Sequence, residues 1–281
     1  MASLVSFSKL ENPSSFRKLA AAMWNAPNDP HIYGFLDVDA SAAMALMERY
    51  EQRYDTRVSI THVVTRAIAI ILARHPEVNA KVGWANILQR SQVDIFCQVS
   101  TDGGRDLSGA KIQQADTLSL GQLAAKLRGS SKAIREGADP SYESSRKLFK
   151  ALPLWGLRMV LWALSLLNNT LNLHLPKLGL PRDAFGSAMV TSVGMLGIDS
   201  GFAPFTPLAR CPIILTVTRV KKRPWVVDDE VVVRPVLRLC GTFDHRIIDG
   251  YHAGELCTEI EKIMSEPELL LTDEERSAWV D

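Results

Sequence analysis

The run Gly241-Thr-Phe-Asp-His-Arg-Ile-Ile-Asp-Gly250 constrains this chain more than any other stretch. A strand-like segment, Glu230 to Cys240, leads into it, and a helix-like segment, Tyr251 to Met264, leads out. The pattern predicts a strand–loop–helix junction with His245 on the loop. Scaffolds commonly hold reactive groups at such places. A neutral imidazole there can take up a proton near pH 7, because its free pKa is about 6.5. Asp249 follows four residues on, directly before Gly250. If the loop folds back, its carboxylate can hold the local backbone and fix the direction of the ring. The competing reading makes Asp249 a helix cap beside an ordinary surface histidine. At average residue usage, His-x-x-x-Asp-Gly arises by chance only about a few hundredths of a time in a chain this long.

Composition narrows the function classes. The chain has 281 residues, 47% of them hydrophobic, enough for one large domain or two small ones. Its 32 basic and 31 acidic residues give a net charge of +1, so nothing electrostatic points to nucleic acid. Cys97, Cys211, Cys240 and Cys257 lack Cys-x-x-Cys spacing and read as reduced thiols of a cytoplasmic protein, not as a disulfide framework. Neither they nor the six histidines show metal-ligand spacing, so no metal site is expected. The N-terminus lacks a long apolar signal core, and no run of about 18 uncharged apolar residues suggests a membrane span.

Periodicity supplies the elements. Ser15 to Trp24 reads as a short helix capped by Ser14 or Ser15. Ile32 to Val38 alternates as a strand, and helical spacing covers Ala40 to Tyr50 and Thr61 to Arg74, the second ended by His75-Pro76. Val78 to Trp84 and Val93 to Val99 read as strands, with a turn at Asp102-Gly-Gly104 between extended segments. An amphipathic helix is expected from Ser119 to Glu136, broken by Gly137-Ala-Asp-Pro140. Further strands are expected at Ser187 to Ser192, Ile213 to Val220 and, after a turn at Asp228-Asp229, Val231 to Cys240. A short acidic segment closes the chain. With no repeat and no Pro/Ala-rich linker, one α+β domain over residues 1–281 is the simplest partition.

Several of these stretches together resemble the catalytic domain of the acyltransferases of 2-oxoacid dehydrogenase complexes, a branch of the chloramphenicol acetyltransferase-like superfamily. Asp-His-Arg-Ile-Ile-Asp-Gly followed by a helix and Ser265-Glu-Pro-Glu-Leu-Leu-Leu271 is similar to the family's C-terminal signature. Ser15-Phe-Arg-Lys-Leu-Ala-Ala-Ala-Met23 is similar to its opening helix, Asp29 to Asp39 to its first strand, and Val58 to Ala80 to its next helix and the Pro-Glu-x-Asn-Ala ending. Val190-Thr-Ser-Val-Gly-Met-Leu-Gly197 is similar to a strand end that carries a serine in the family. The single His245, preceded by Asp244, favours this branch over condensation domains and wax synthases, which usually carry two adjacent histidines.

The resemblance implies a mixed sheet flanked by helices and a homotrimer, with active sites between neighbouring subunits and further assembly into a cage left open. It implies CoA-dependent transfer of an acyl group to a thiol or hydroxyl, with coenzyme A entering as acyl-CoA. His245 would be the general base. Thr191 matches the family's oxyanion-stabilising serine, with Ser192 as rival, since a one-residue shift turns a strand side chain to the other face. Asp249 and Gly250 would orient the loop, with Arg17 as a basic partner matched from the opening helix. Arg246 would brace the loop or sit at an interface. His252 reads as packing. Arg219, Lys221, Lys222 and Arg223 cluster after a strand and are candidates for CoA phosphates, or else a solvated turn.

The chain also departs from that pattern. Lipoyl domains and a subunit-binding domain are not expected within residues 1–281, so a lipoyl group, if one takes part, comes in trans from a separate lipoyl or dehydrogenase-complex protein. Gly104-Arg-Asp-Leu-Ser-Gly-Ala-Lys-Ile112 replaces a segment that carries a proline in the family. Leu148 to Leu175, with Trp155 and Trp162, is longer and more apolar than the family pattern. It reads as a helical hairpin at a subunit interface, or as an apolar acceptor pocket or membrane-surface patch anchored by the tryptophans. Two other functions compete: a non-catalytic oligomeric scaffold or partner-binding subunit, and modification of an antibiotic.

Overall fold

The computed structural model describes residues 30–83, 86–101, 106–136, 153–164, 166–167, 183–205 and 210–279. His31–Asp281 forms one compact unit, and Met1–Pro30 is a separate one. The opening helix with Ser14, Ser15 and Arg17, the turn Asp102–Gly104 and the break at Gly137–Pro140 lie outside the described residues.

The elements in chain order are β1 (His31–Asp39), α1 (Ser41–Tyr54), α2 (Ile60–Arg74), β2 (Ala80–Val82), β3 (Ile87–Gln89), β4 (Ile95–Thr101), β5 (Asp106–Ile112), α3 (Leu120–Arg135), α4 (Leu154–Leu164), β6 (Ala188–Ser192), β7 (Ile213–Val217), β8 (Lys221–Val227), β9 (Glu230–Asp244), α5 (Gly250–Ser265) and α6 (Asp273–Trp279). Short 3₁₀ turns at Gly194–Leu196 and Pro267–Leu270 complete the description. The main sheet runs β1-β9-β7-β6-β4-β5, with β8 added to β9. The β4–β6 and β6–β7 pairs are parallel and the rest antiparallel, so the sheet is mixed, as expected.

Strand alternation divides the sheet into two faces. Leu36, Val190, Leu215 and Leu239 point into the main core with α2 and α5. α2 buries residues all around its circumference, as a central helix must, and it includes three buried polar side chains, His62, Thr65 and Arg66. The Arg66 guanidinium donates to the carbonyls of Leu270, Ala115 and Asp116, at 3.2, 3.0 and 2.6 Å. It thereby ties two chain segments, one at Ala115–Asp116 and one at Leu270, to α2. Burial pushes the neighbouring His62 imidazole down to about 4, and the charge of Arg128 adds to this; its Nδ1 accepts the Ser59 backbone N–H at the helix start.

Two differences from the sequence reading have clear causes. β9 does not stop at Cys240 but runs on to Asp244. Gly241 lies inside it because the Phe243 ring occupies the space that a Cβ would need, with ring atoms 2.4 Å from that position, while Gly34 and Leu215 flank Gly241 in register. The loop therefore begins only at His245. Second, Lys221–Val227 is a strand rather than a solvated turn. It is joined to β9 by Asp228 and Asp229, both at positive φ (50° and 63°), the two-residue hairpin geometry whose twist suits a strand pair. Conversely, of the expected Val78–Trp84 strand, Ala80–Val82 is extended among the described residues, and Trp84 lies outside them.

Candidate active site

The loop after β9 is closed by its own backbone. The Ile247 and Ile248 N–H groups both donate to the Asp244 carbonyl at 2.9 Å, and the fully buried Ile248 side chain anchors the turn. The Asp244 N–H donates to Pro212 O at 2.9 Å, which fixes where the strand ends. Arg246 grips the Asp244 carboxylate with two guanidinium contacts of 2.9 and 2.6 Å and with its backbone N–H at 3.1 Å. Burial alone would raise the Asp244 carboxyl, but these charge-assisted bonds hold it below the usual carboxylate range. Of the two roles expected for Arg246, the chain itself supplies the brace.

His245 is exposed at the crown of this turn. Its Nδ1 lies 2.9 Å from the Ile248 carbonyl oxygen. A carbonyl only accepts, so Nδ1 carries the proton in the neutral ring. Nε2 is left with its lone pair outward, the tautomer a general base needs.

Asp249 does not touch that ring. It caps α5: its carboxylate accepts the His252 N–H at 3.1 Å and lies 2.7 Å from His252 Nδ1. The backbone N–H first, and then the ring, hold the Asp249 carboxyl below the usual range. Sequence reasoning expected the aspartate to hold the backbone and aim the ring. The structure gives it the first task and gives the second to the Ile248 carbonyl. No side-chain pattern could reveal that acceptor, since every residue carries it. Gly250 opens α5 with open space where a Cβ would stand, so the turn does not itself require glycine there.

Thr191 sits near the end of β6, buried, on the face opposite the main core, and Ser192 beside it is exposed and turned the other way. Thr191 is paired with Thr216 on β7, and Thr216 with Cys240 on β9, so these side chains form one row. The Thr216 hydroxyl is buried without a hydrogen-bond partner. Sequence reading passed over it; the signal was a threonine inside the apolar run Ile213–Val217. Beyond the strand end, Gly194 passes so close to β7 that a Cβ would lie 3.0 Å from the Thr218 carbonyl oxygen, and Gly197 adopts φ 74°, a left-handed conformation suited to glycine.

The two proposed reacting groups are not neighbours within one chain. Thr191 lies two strands from Cys240 in register, and His245 lies five residues beyond Cys240. At about 3.3 Å per residue and 4.8 Å per strand, the backbones are on the order of 15–20 Å apart. An apolar cavity of about 180 Å³ between the sheet and the helices, lined by Gly34, Leu36, Ile68, Gly241, Gly254 and Cys257 among others, includes neither residue. Gly34 and Gly241 are register neighbours on β1 and β9, and Gly254 lies on α5.

Three of the four candidates for CoA phosphates already have a carboxylate. Lys221 Nζ and the Arg219 guanidinium both approach Asp199, Arg219 at 3.8 Å. Arg223 lies 3.5 Å from Asp37, which also holds Arg238 at 2.6 Å. Lys222 projects from the exposed side of β8. Among the described residues, no group of three or more His, Cys, Asp or Glu side chains is placed to hold a metal ion.

The family model for 2-oxoacid dehydrogenases acyltransferase (catalytic domain) matches residues 9–146 and 181–272. The acetyltransferase component of the pyruvate dehydrogenase complex of Zymomonas mobilis is 26% identical over 85% of this chain and 46% of its own length. The succinyltransferase component of the 2-oxoglutarate dehydrogenase complex of Bartonella vinsonii is 24% identical over 85% of this chain and 49% of its own. The chain thus spans about half the length of these relatives. In fold, it superposes on the dihydrolipoamide acetyltransferase of Azotobacter vinelandii with a TM-score of 0.63 at 20% identity, covering 86% of this chain and 84% of that one. That protein was studied for the roles of a serine, a histidine and, four residues after it, an asparagine in its catalytic mechanism. The cubic core of a pyruvate dehydrogenase multienzyme complex gives a TM-score of 0.62 at 18% identity over 96% of this chain and 99% of its own.

Proposed function

Because the chain belongs to the family of 2-oxoacid dehydrogenase acyltransferase catalytic domains, we propose that it moves an acyl group between coenzyme A and a thiol or hydroxyl acceptor, with His245 as general base. One observation carries this reading: the Nδ1–H of His245 is committed to the Ile248 carbonyl, so the neutral ring keeps its lone pair on Nε2, on an exposed, braced loop. Nε2 takes the proton of an incoming thiol. The thiolate attacks the acyl-CoA carbonyl and forms a tetrahedral oxyanion. Collapse expels the CoA thiolate, which takes the proton back from the imidazolium. The hydroxyl of Thr191 donates to the oxyanion, a contribution worth about 2.7–4 kcal/mol where such donors have been removed elsewhere.

Since these two groups stand far apart in one chain, the site forms where the loop of one copy meets the β6 end of another, in a homotrimer. The cubic core to which this fold is similar makes larger assembly a reasonable extension. Lys222 is the remaining candidate for a CoA phosphate, as Asp199 engages Arg219 and Lys221. Dihydrolipoyl groups, presented by a separate protein, fit the names of the relatives as the acceptor class. The assay is thiol release from a panel of acyl-CoA substrates with and without dihydrolipoamide. Acceptor-dependent CoA release supports the reading; none across the panel, from a stable oligomer, makes the protein a scaffold.

A further inference from the structure

The family match stops at residue 146 and resumes at 181. The intervening stretch, 147–180, belongs to this chain and not to the common pattern. Its sequence is rich in leucine and contains four basic residues, Lys147, Lys150, Arg158 and Lys177, with no Asp or Glu. With 31 acidic residues in 281, about four would fall in a stretch this long at the chain's average usage. The segment is therefore apolar and basic together.

Within it lies α4. Trp155, Met159 and Trp162 are 69%, 65% and 68% exposed. Their spacing of four and three residues puts them on one stripe of the helix. A second stripe, Gly156, Val160 and Ala163, is buried or half-buried. Helix α4 thus turns its small residues inward and its two tryptophans outward. Two large aromatic side chains and a methionine on one open stripe mark a surface made to meet something apolar.

Length and charge decide what that is. Eleven residues make a helix of about 16 Å, roughly half the thickness of a bilayer's hydrocarbon core, so α4 is too short to cross one. No described helix is long and apolar enough to do so. A two-fold contact would set a segment with four basic and no acidic residues against its own copy, whereas a contact within the proposed trimer would bury the stripe and is told apart by particle mass. An anionic lipid surface supplies the opposite charge, while tryptophans lodge at the headgroup level. We propose that α4 is an interfacial anchor by which the protein docks on an anionic membrane, through Trp155, Met159 and Trp162. The docking is independent of the acyl-transfer reading.

The test is co-sedimentation of the full chain with vesicles of phosphatidylcholine alone and of phosphatidylcholine with phosphatidylglycerol. A triple variant, Trp155→Ala, Met159→Ala and Trp162→Ala, is measured alongside, with circular dichroism and light scattering as controls on fold and particle mass. The proposal expects at least about tenfold stronger partition to the anionic vesicles, weakened by high salt. It expects about a tenfold loss in the variant at unchanged mass and unchanged CoA release. Absence of wild-type partition overturns it. So does equal partition to neutral vesicles, or a variant that keeps its lipid binding. A variant whose particle mass falls while wild-type protein ignores vesicles assigns the stripe to a second copy instead.

Discussion

The loop after β9 and the strand end of β6 differ in how far folding alone completes them. In the loop, the Asp244 carbonyl takes two N–H groups, Arg246 holds the carboxylate, and the Ile248 carbonyl fixes the His245 ring. At the strand end, by contrast, the Thr216 hydroxyl beside Thr191 is buried and unpaired. The first region is a finished tool. The second has hydrogen-bonding capacity left over, and buried hydroxyls rarely stay that way without a reason. On the proposed reading, the contrast teaches that one chain builds the base but not the place where the base acts. It also explains why the loop was more legible than its partner.

The largest effect should come from the finished half. His245→Ala should cut acyl transfer by about 10²–10⁴-fold with the circular dichroism spectrum unchanged; a variant that keeps full turnover would remove His245 from the chemistry. Next comes the open half. Thr191→Val keeps the shape and loses the donor, and should lower kcat by about 10²–10³-fold. Ser192→Ala, on the other face of the strand, should leave kcat near the wild-type value. The opposite ranking would transfer the oxyanion role to Ser192.

Two smaller effects probe why the loop is rigid. Arg246→Met leaves the Asp244 carboxylate without its clamp. Because Arg246 is 44% exposed, solvent screening limits the loss to about 1–2 kcal/mol at neutral pH. The Asp244 carboxyl is held low in the folded state. Its contribution is thus complete above the unfolded value of about 3.9 and drains away as pH falls through the lower folded value. Denaturant titrations from pH 7 to pH 2 should show the wild type losing that increment in acid and the variant lacking it throughout. Asp249→Ala removes the cap of α5 and should lower the thermal midpoint by about 2–4 °C. Its effect on the direction of the His245 ring should be slight, since the Ile248 carbonyl holds that ring. A loss of turnover as large as that of His245→Ala would mean that Asp249 does act on the ring.

Much of this could be read in the residues. Alternation and helical spacing located β1, α1, α2, α3 and α5 to within a few positions, because one face of each is buried and the period follows. The turn at Asp228-Asp229 was also placed, and both residues prove to have positive φ. What escaped was non-local. β8 alternates only weakly in polarity, Lys-Lys-Arg-Pro-Trp-Val-Val, and is a strand because β9 is long enough to receive it. Gly241 looked like a strand end, yet Phe243 and two flanking strands keep it extended. The tautomer of His245 depends on a backbone carbonyl that no residue type announces. Asp249 was read as an orienting group through its spacing from His245. The structure instead shows the competing reading, a helix cap that Asp249 makes with His252.

The central claim is that base and oxyanion donor come from different copies. Co-expressing His245→Ala and Thr191→Val subunits tests it most directly. Each variant alone is expected to be nearly inactive. In randomly mixed trimers, a seam with an intact His245 from one copy and an intact Thr191 from its neighbour should arise about one time in four. Activity should therefore return to roughly a quarter of the wild-type value. Mixed particles that stay as inactive as either variant alone would contradict a site shared between subunits.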